Sequence, residues 1–211
     1  MKEDIFRILL HNRGKFVSGE EISGKLGVSR TAVWKYIRQL REEGCRIESV
    51  SNRGYCLAEV PDRLDEVLLR SHLATQVIGQ VMELHHSIGS TNARAKELAQ
   101  SGAVHGTLVA AEEQVSGRGR LGRSWVSPPG MGIWMSLVLR PPFSPPSAPR
   151  ITILAAMAVA DAINRVTGLK AGIKWPNDII VHSRKVCGIL TEIQADPDVI
   201  EYVAVGIGVN A

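Results

Sequence analysis

Apolar side chains recur at helical spacing three times within the first 43 residues of the chain. The first stripe lies within Asp4–His11. Ser18 stands at a capping-box spacing and predicts a second helix that continues to Leu26. A tight turn follows, and Ser29 caps a third helix that we expect to end at about Glu43. This arrangement predicts a helix-turn-helix.

Period-two alternation replaces the helical spacing after Gly44. The segments Arg46–Val50 and Gly54–Leu57 alternate apolar and polar positions, and the three residues between them, ending at Arg53, have turn chemistry. A hairpin that follows a helix-turn-helix is a wing. We therefore predict that residues 1–60 form a winged helix-turn-helix.

The exposed positions of the third helix and the wing carry side chains suited to DNA. They are Arg30, Thr31, Trp34, Lys35, Arg38 and Arg53. Residues 1–60 also hold 11 Lys and Arg against 8 Asp and Glu, which mildly favours a polyanionic partner. The alternative is a winged helix that makes only protein contacts.

From residue 61 onward, short apolar strands outnumber helices. After a linker at residues 61–63 and a helix over Leu64–Ala74, the pattern predicts strands at Gln80–His85, Thr107–Glu113, Ile133–Leu139, Gly172–Lys174, Asp178–Val181, Lys185–Gln194 and Tyr202–Val209. Helices fit Thr91–Gln100 and Ile151–Val166. So few helices predict a mixed or antiparallel sheet in an α+β domain, residues 61–211, with the helices on one side.

Composition excludes several classes of protein. The apolar fraction of 45% suits a globular core, and no apolar run approaches the roughly 18 residues that a membrane span needs. The first residues lack the pattern of a secretion signal. Cys45, Cys56 and Cys187 have no ligand spacing, so we expect neither disulfides nor a zinc site. We expect a soluble cytoplasmic protein.

The densest chemical signal is the segment Gln114–Trp125, in which three glycines alternate with Arg118, Arg120 and Arg123. Such a loop is expected to be flexible at rest and to fold onto an anion, because arginine donors match carboxylates and phosphates. An RGG-like nucleic-acid segment would repeat the motif. The segment also spells G-x-G-x-x-G, but Pro128 and Pro129 prevent the helix that a dinucleotide fold requires.

A polar triplet, Ser90-Thr91-Asn92, stands at the start of a predicted helix. On the residues alone, helix capping by Ser90 is the simpler interpretation. A ligand site is the alternative, because free N–H groups at a helix start point the same way.

The arginine loop, together with Lys174-Trp175-Pro176-Asn177-Asp178, resembles biotin protein ligases (biotin–[acetyl-CoA-carboxylase] ligases). Residues 1–60 resemble the DNA-binding domain of the bifunctional biotin-operon-repressor members. The resemblance implies activation of biotin by ATP with Mg²⁺ to biotinyl-5′-AMP, and transfer to a lysine of the biotin carboxyl carrier protein of acetyl-CoA carboxylase. It further implies operator DNA and a ligand-dependent homodimer.

The same resemblance implies roles for particular residues. Those implied to bind biotin are Ser90, Thr91, Asn92, Gln114, Arg118, Arg120 and Lys185. Those implied to contact the nucleotide are Arg120, Arg123, Trp125, Lys174, Asn177, Asp178 and Asn210. We expect Lys185, Arg120 and Arg118 to be catalytic, because the reaction joins two anions. Asp178 is the expected Mg²⁺ ligand, and Gly132, Ile133, Trp134 and Leu190 are candidate pocket walls.

Family members continue past the position that matches Ala211, through the rest of the catalytic domain and a small SH3-like domain. We therefore expect residues 61–211 to be a catalytic domain that is incomplete at its C-terminus. Three alternatives stay open: a non-enzymatic biotin-sensing repressor, a lipoate- or octanoate-transferring relative, and a transcription factor with an unrelated effector domain, which would leave the arginine loop unexplained.

Overall fold

The computed structural model describes residues 1–211, which form two compact units, Met1–His72 and Leu73–Ala211. The elements of the first unit are α1 (Lys2–His11), α2 (Gly19–Leu26), α3 (Arg30–Glu42), β1 (Arg46–Val50), β2 (Gly54–Glu59) and α4 (Glu66–His72). The predicted helix-turn-helix and wing are confirmed, because α2 and α3 are followed by an antiparallel β1–β2 hairpin.

Both predicted serine caps are present in the helix-turn-helix. The Ser18 hydroxyl accepts a hydrogen bond from the Glu21 amide at 3.0 Å, and the Ser29 hydroxyl accepts one from the Ala32 amide at 3.1 Å. Gly27 ends α2 with φ +65°, a left-handed conformation that favours glycine. Local sequence therefore fixes both ends of the turn.

The first unit extends beyond the predicted boundary at residue 60. Helix α4 buries Val67, which is 8% exposed, in the same apolar core as Ile5, Phe6 and Leu40. Leu68 packs against the same core, and the compact unit ends at His72. The helix is also shorter than the predicted Leu64–Ala74.

The second unit contains a seven-stranded mixed sheet and two long helices. Its elements are β3 (Met82–Ile88), α5 (Thr91–Gln100), β4 (Thr107–Gln114), β5 (Gly132–Leu139), α6 (Pro149–Thr167), β6 (Gly172–Lys174), β7 (Asp178–Val181), β8 (Arg184–Ala195) and β9 (Ile200–Asn210), with 3₁₀ turns at Arg120–Gly122 and Pro145–Ser147. The strand order is β3-β4-β5-β9-β8-β7-β6, and only β3 and β4 are parallel. The α+β prediction is confirmed.

The two helices lie on opposite faces of this sheet, so the prediction that they share one side is wrong. On β9, Tyr202 and Ala204 pack in the core beneath α5, whereas Val203 and Val205 pack in the core beneath α6. Successive strand residues point to opposite faces. Because β9 is apolar at odd and even positions alike, the central strand requires cover on both sides.

Arg140, at the end of β5, fixes the C-terminal end of α5. Its guanidinium donates to the carbonyl oxygens of Ala99 at 2.6 Å and Ala103 at 3.0 Å, and also to that of Glu201 on β9 at 2.7 Å. The cation therefore satisfies carbonyls at the negative end of the helix dipole.

No helix of the chain is both long enough and apolar enough to cross a membrane.

We predict that all three thiols resist labelling in the native protein. Cys45, Cys56 and Cys187 are free and buried, and burial raises the pKa of the Cys45 thiol and raises the pKa of Cys187 to about 12. The reactive thiolate is therefore scarce at pH 8. A chromogenic disulfide reagent should label no thiol quickly in buffer and all three in guanidinium. Rapid native labelling of Cys187 would contradict its burial in the core.

Candidate functional site

A cavity of about 380 Å³ opens on the α5 face of the sheet, where the start of α5 meets β8, β9 and the loop between β4 and β5. It brings together most of the predicted ligand residues: Ser90, Thr91, Asn92, Gln114, Arg118, Arg120, Arg123, Trp125, Asn177, Asp178 and Lys185. Segments far apart in sequence therefore converge on one site.

Several predicted residues lie outside the cavity. Lys174 and Asn210 are exposed at the ends of β6 and β9. Of the candidate pocket walls, Leu190 lines the cavity, but Gly132 and Ile133 do not. Trp134 is only 1% exposed and its indole N–H donates to the Pro128 carbonyl at 3.3 Å, which makes it a core residue.

One end of the cavity is polar and uncharged, and a hydrogen-bond network holds it in place. The Thr91 amide and hydroxyl donate to Gln114 Oε1 at 2.8 and 3.0 Å, and the buried Ser136 hydroxyl donates to Thr91 Oγ1 at 2.9 Å. Gln114 Nε2 donates to the Ser127 hydroxyl at 2.9 Å. Ser90 caps α5, as expected from sequence. Ser127, which meets Gln114, and Ser136, which meets Thr91, carried no recognisable signal, since these contacts form only in the folded chain.

Two buried polar atoms at the cavity have no protein partner, Asn92 Oδ1 and Trp125 Nε1. A buried unsatisfied donor or acceptor costs about 1–3 kcal/mol. Such groups call for an explanation in a folded protein. Because both residues line the cavity, a ligand that offers both a donor and an acceptor would relieve both penalties.

The floor of the cavity is made of strand glycines. Gly188, Gly206 and Gly208 lie on neighbouring β8 and β9, where Gly188 pairs with Gly208. A Cβ atom at Gly208 would lie 2.5 Å from Trp125 Nε1, and one at Gly206 would lie 2.9 Å from Asn92 Oδ1. Glycine inside a strand marks close approach of another group. Here the group is the Trp125 indole, which lies against the floor.

The arginine loop forms a narrow hairpin in this structure, although the sequence predicted flexibility at rest. The Gly119 amide donates to the Arg123 carbonyl at 2.7 Å, and the Trp125 amide donates to the Gly117 carbonyl at 2.9 Å. At its tip, Leu121 is 91% exposed and has φ +56°, which is strained for a residue other than glycine. The loop is therefore ordered by backbone hydrogen bonds and is strained locally at Leu121.

The other end of the cavity is cationic. Arg120 Nη1 donates to Asn177 Oδ1 at 2.7 Å, and Lys185 Nζ contacts Asp178 Oδ1 at 2.8 Å. Lys185 Nζ also lies 5.2 Å from the centre of the Trp125 ring. Arg118 and Arg123 line the cavity as well, so four cations face a single carboxylate there. This excess positive charge suits a ligand with more than one negative charge.

Asp178, the predicted Mg²⁺ ligand, lies at the cationic end of the cavity. It is the only carboxylate that lines the cavity, and Lys185 already neutralises it. No group of three or more His, Cys, Asp or Glu side chains in the chain could hold a metal ion. Protein-held magnesium is coordinated by carboxylates together with substrate phosphates and water. Asp178 would therefore contact Mg²⁺ together with the phosphates of a ligand, and this role of Asp178 stays a prediction.

The first unit presents a separate candidate surface for nucleic acid. All six predicted DNA-facing residues are exposed. Arg30 pairs with Glu20 at 3.2 Å, and the Arg53 guanidinium lies 4.2 Å from the centre of the Phe16 ring at the wing. Lys35 has no acidic partner, so its full charge is available to a phosphate.

Comparison with known proteins agrees with this geometry. Residues 84–210 match the biotin/lipoate A/B protein ligase family, and residues 2–56 match an HTH domain. The bifunctional ligase/repressor BirA of Bacillus subtilis is 45% identical over 210 residues, which cover all of this chain and 65% of that protein. The Escherichia coli protein of the same name is 32% identical, with 96% of this chain and 62% of that protein covered. The chain thus spans less than two thirds of either relative.

Solved structures are similar to part of the chain. A biotin protein ligase from Aquifex aeolicus in complex with biotin and ATP superimposes with a TM-score of 0.53 at 31% identity, over 62% of this chain and 52% of that chain. A biotin protein ligase from Leishmania major with biotinyl-5-AMP gives 0.53 at 26% identity, over 62% and 57%. The family match spans more than half of the chain and includes every cavity residue. The chain therefore belongs to the biotin/lipoate A/B protein ligase family.

Proposed function

We propose that the second unit activates biotin with ATP and transfers the biotinyl group to a lysine of a biotin carboxyl carrier protein. One observation carries this proposal: the cavity joins a fixed, uncharged polar end to a cationic end. Biotin has the matching form, with a neutral fused ring at one end and a carboxylate at the other. The phosphates of ATP account for the remaining excess of positive charge.

The chemistry follows from this placement. A carboxylate oxygen of biotin attacks the α-phosphorus of ATP, the bond to the β-phosphate oxygen breaks, and pyrophosphate leaves. The ε-amine of the acceptor lysine then attacks the acyl carbon of the resulting mixed anhydride, and AMP leaves. No nucleophile of the enzyme is required, because the anhydride is itself the activated acyl donor. Lys185, Arg118 and Arg120 stabilise the charge that builds on the phosphate oxygens.

The resting contacts of these cations must be exchanged when substrates bind. Lys185 leaves Asp178, and Arg120 leaves Asn177, each for a more highly charged ligand oxygen. A lysine suits a bridging position because its ammonium is a compact charge on a flexible stem. Closure of the strained hairpin over the ligand would exclude water, which hydrolyses mixed anhydrides.

The first unit is proposed to bind operator DNA, so that the whole chain acts as a biotin-responsive repressor. Helix α3 would enter the major groove with Lys35 and Arg38 on its exposed face, and Arg53 on the wing would contact the backbone. The relatives named as ligase/repressor support this assignment. The ligand-dependent homodimer stays a prediction.

Titration calorimetry with biotin, together with a pyrophosphate-release assay, tests the proposed reaction. Binding with release in Mg-ATP supports the ligase. Binding without release would favour the biotin sensor, and stronger binding of lipoate would favour the lipoate-transferring relative. The unpaired acceptor Asn92 Oδ1 argues against lipoate, whose ring offers no N–H donor.

We predict that Lys185→Gln slows pyrophosphate release by on the order of 100-fold, because a donor aimed at developing charge is lost. Biotin binding measured without ATP should weaken by about tenfold or less, since the polar end is intact. Lys170→Gln, an exposed lysine outside the cavity, is the matched control. Equal release rates for the Lys185 and Lys170 variants would remove Lys185 from the mechanism.

We predict that substrates change the fluorescence of Trp125, because its indole lies on the cavity floor with an unpaired N–H. The background variant carries Trp34→Phe and Trp175→Phe, which leaves only Trp125 and the buried Trp134 to emit. Addition of biotin and Mg-ATP should shift the emission. Adding Trp125→Phe to this background should abolish the shift, and a shift that persists would refute the placement.

We predict that Lys35→Gln weakens binding to a duplex of mixed sequence and lowers the salt slope of the affinity by about one, as loss of one phosphate contact requires. Fluorescence anisotropy at several salt concentrations measures both quantities. Arg7→Gln on α1 is the control, because it removes the same charge away from α3 and the wing. Identical salt slopes for the two variants would exclude Lys35 from the interface.

A further inference from the structure

Glu192 lies on β8, outside the cavity lining, and connects two residues of α5. Its Oε2 accepts a hydrogen bond from Asn92 Nδ2 at 2.5 Å, and its Oε1 contacts Lys96 Nζ at 2.6 Å. Nothing in the proposed chemistry uses this carboxylate. Its partner Asn92 is only 5% exposed and lines the cavity, so Glu192 can act on the site through Asn92.

The donor and acceptor rules fix the direction of the Asn92 amide. An ionised carboxylate only accepts hydrogen bonds, so the Asn92 group that faces Glu192 must be the NH₂. Lys96 Nζ forms an ion pair with the other oxygen of this carboxylate, 2.6 Å from Oε1. The opposite side of the amide, Oδ1, then has to face the cavity floor, where a Cβ atom on Gly206 would lie 2.9 Å from it.

Asn92 Oδ1 is the unused acceptor of the polar end. It is buried and has no partner. The Thr91 hydroxyl, in contrast, has committed its only hydrogen to Gln114 and also accepts from Ser136. A ligand group that satisfies Asn92 must therefore be a donor, such as a ring N–H.

We propose that Glu192 is a positioning residue that holds Asn92 Oδ1 toward the cavity and thereby selects ligands with a ring N–H, as in a cyclic urea. This inference rests on the proposed function, in which biotin supplies that urea. A rotated Asn92 amide would present NH₂ instead and would favour an acceptor at the same position. Glu192 excludes the rotated state, because rotation would place Asn92 Oδ1 against the Glu192 carboxylate, and two acceptors cannot form a hydrogen bond.

The test is calorimetric titration of the full chain with biotin and with two biotin analogues, each methylated on one ring nitrogen. We expect Glu192→Gln to weaken biotin binding by about tenfold, because a glutamine amide can rotate and no longer fixes Asn92. One of the two analogues should bind the unaltered chain and the Glu192→Gln variant with the same weak affinity, since it lacks the N–H that would donate to Asn92 Oδ1. Glu201→Gln, on exposed β9 surface, is the matched control and should bind like the unaltered chain.

A double-mutant cycle separates positioning from a general loss of stability. Asn92→Ala should weaken biotin binding, and Glu192→Gln should add nothing in the Asn92→Ala background, because Glu192 acts through Asn92. Glu192→Asp keeps an acceptor-only carboxylate. The Glu192→Asp variant should therefore prefer biotin over the analogue that lacks this N–H more strongly than the Glu192→Gln variant does. Thermal unfolding midpoints confirm that each variant is folded at the assay temperature.

Three outcomes would overturn the inference: additive effects of Asn92→Ala and Glu192→Gln, equal weakening of biotin and both analogues by Glu192→Gln, or unchanged biotin binding in Glu192→Gln. Failure of the unaltered chain to bind biotin at all would instead refute the proposed function. The two failures are therefore distinguishable in one set of titrations.

Discussion

The site depends on a steric constraint, the absence of side chains at Gly188, Gly206 and Gly208. These positions face α5 on two adjacent central strands, where large apolar residues would otherwise fill the space between sheet and helix. The Trp125 indole and the Asn92 amide occupy part of that space. The rest of the cavity depends on this floor. A Cβ atom at any one of these three glycines would displace Trp125 or Asn92, both of which line the cavity.

The two ends of the cavity are built differently, and the difference has a physical reason. The polar end rests on the start of a helix whose other end Arg140 fixes to β9, so its donors and acceptors have defined positions. The cationic end consists of long side chains on a glycine-rich hairpin and a strand end. Its resting ion pair, between Lys185 and Asp178, is partly exposed and therefore weak, so a phosphate can replace it at small cost.

Local sequence patterns were enough to predict the elements, but not their arrangement. Ser18, Ser29 and Gly27 determine the helix-turn-helix through short-range hydrogen bonds and one left-handed residue, so they could be recognised in the sequence. The face of the sheet that each helix covers could not be recognised in the sequence, because it depends on which strands become neighbours. The same limit separates Ser90, visible as a helix cap, from Ser136, which meets Thr91 only after β5 is placed beneath α5.

The residues predicted to bind ligands show a similar division. The resemblance drew attention to Lys185 and the arginines, and the structure brings them to one cavity. It also drew attention to Lys174 and Asn210, which are exposed outside it. Glu192 had no sequence signal at all, because a lone glutamate in a strand is ordinary until the position of Asn92 is known. Residues that act through a neighbour become visible only in three dimensions.

The glycine floor also separates two determinants of binding, the shape of the ligand and the strength with which it is held. They reside in two parts of the molecule, the sheet and the arginine hairpin, that can change independently in evolution. Glycines have no rotamers to order, so the sheet selects the shape of a ligand without a loss of side-chain entropy. That loss falls on the arginine hairpin, whose long side chains must be immobilised when a ligand binds. Substitutions in the hairpin can therefore retune how tightly the site holds its ligand, while the identity of the ligand stays determined by the floor and the start of α5.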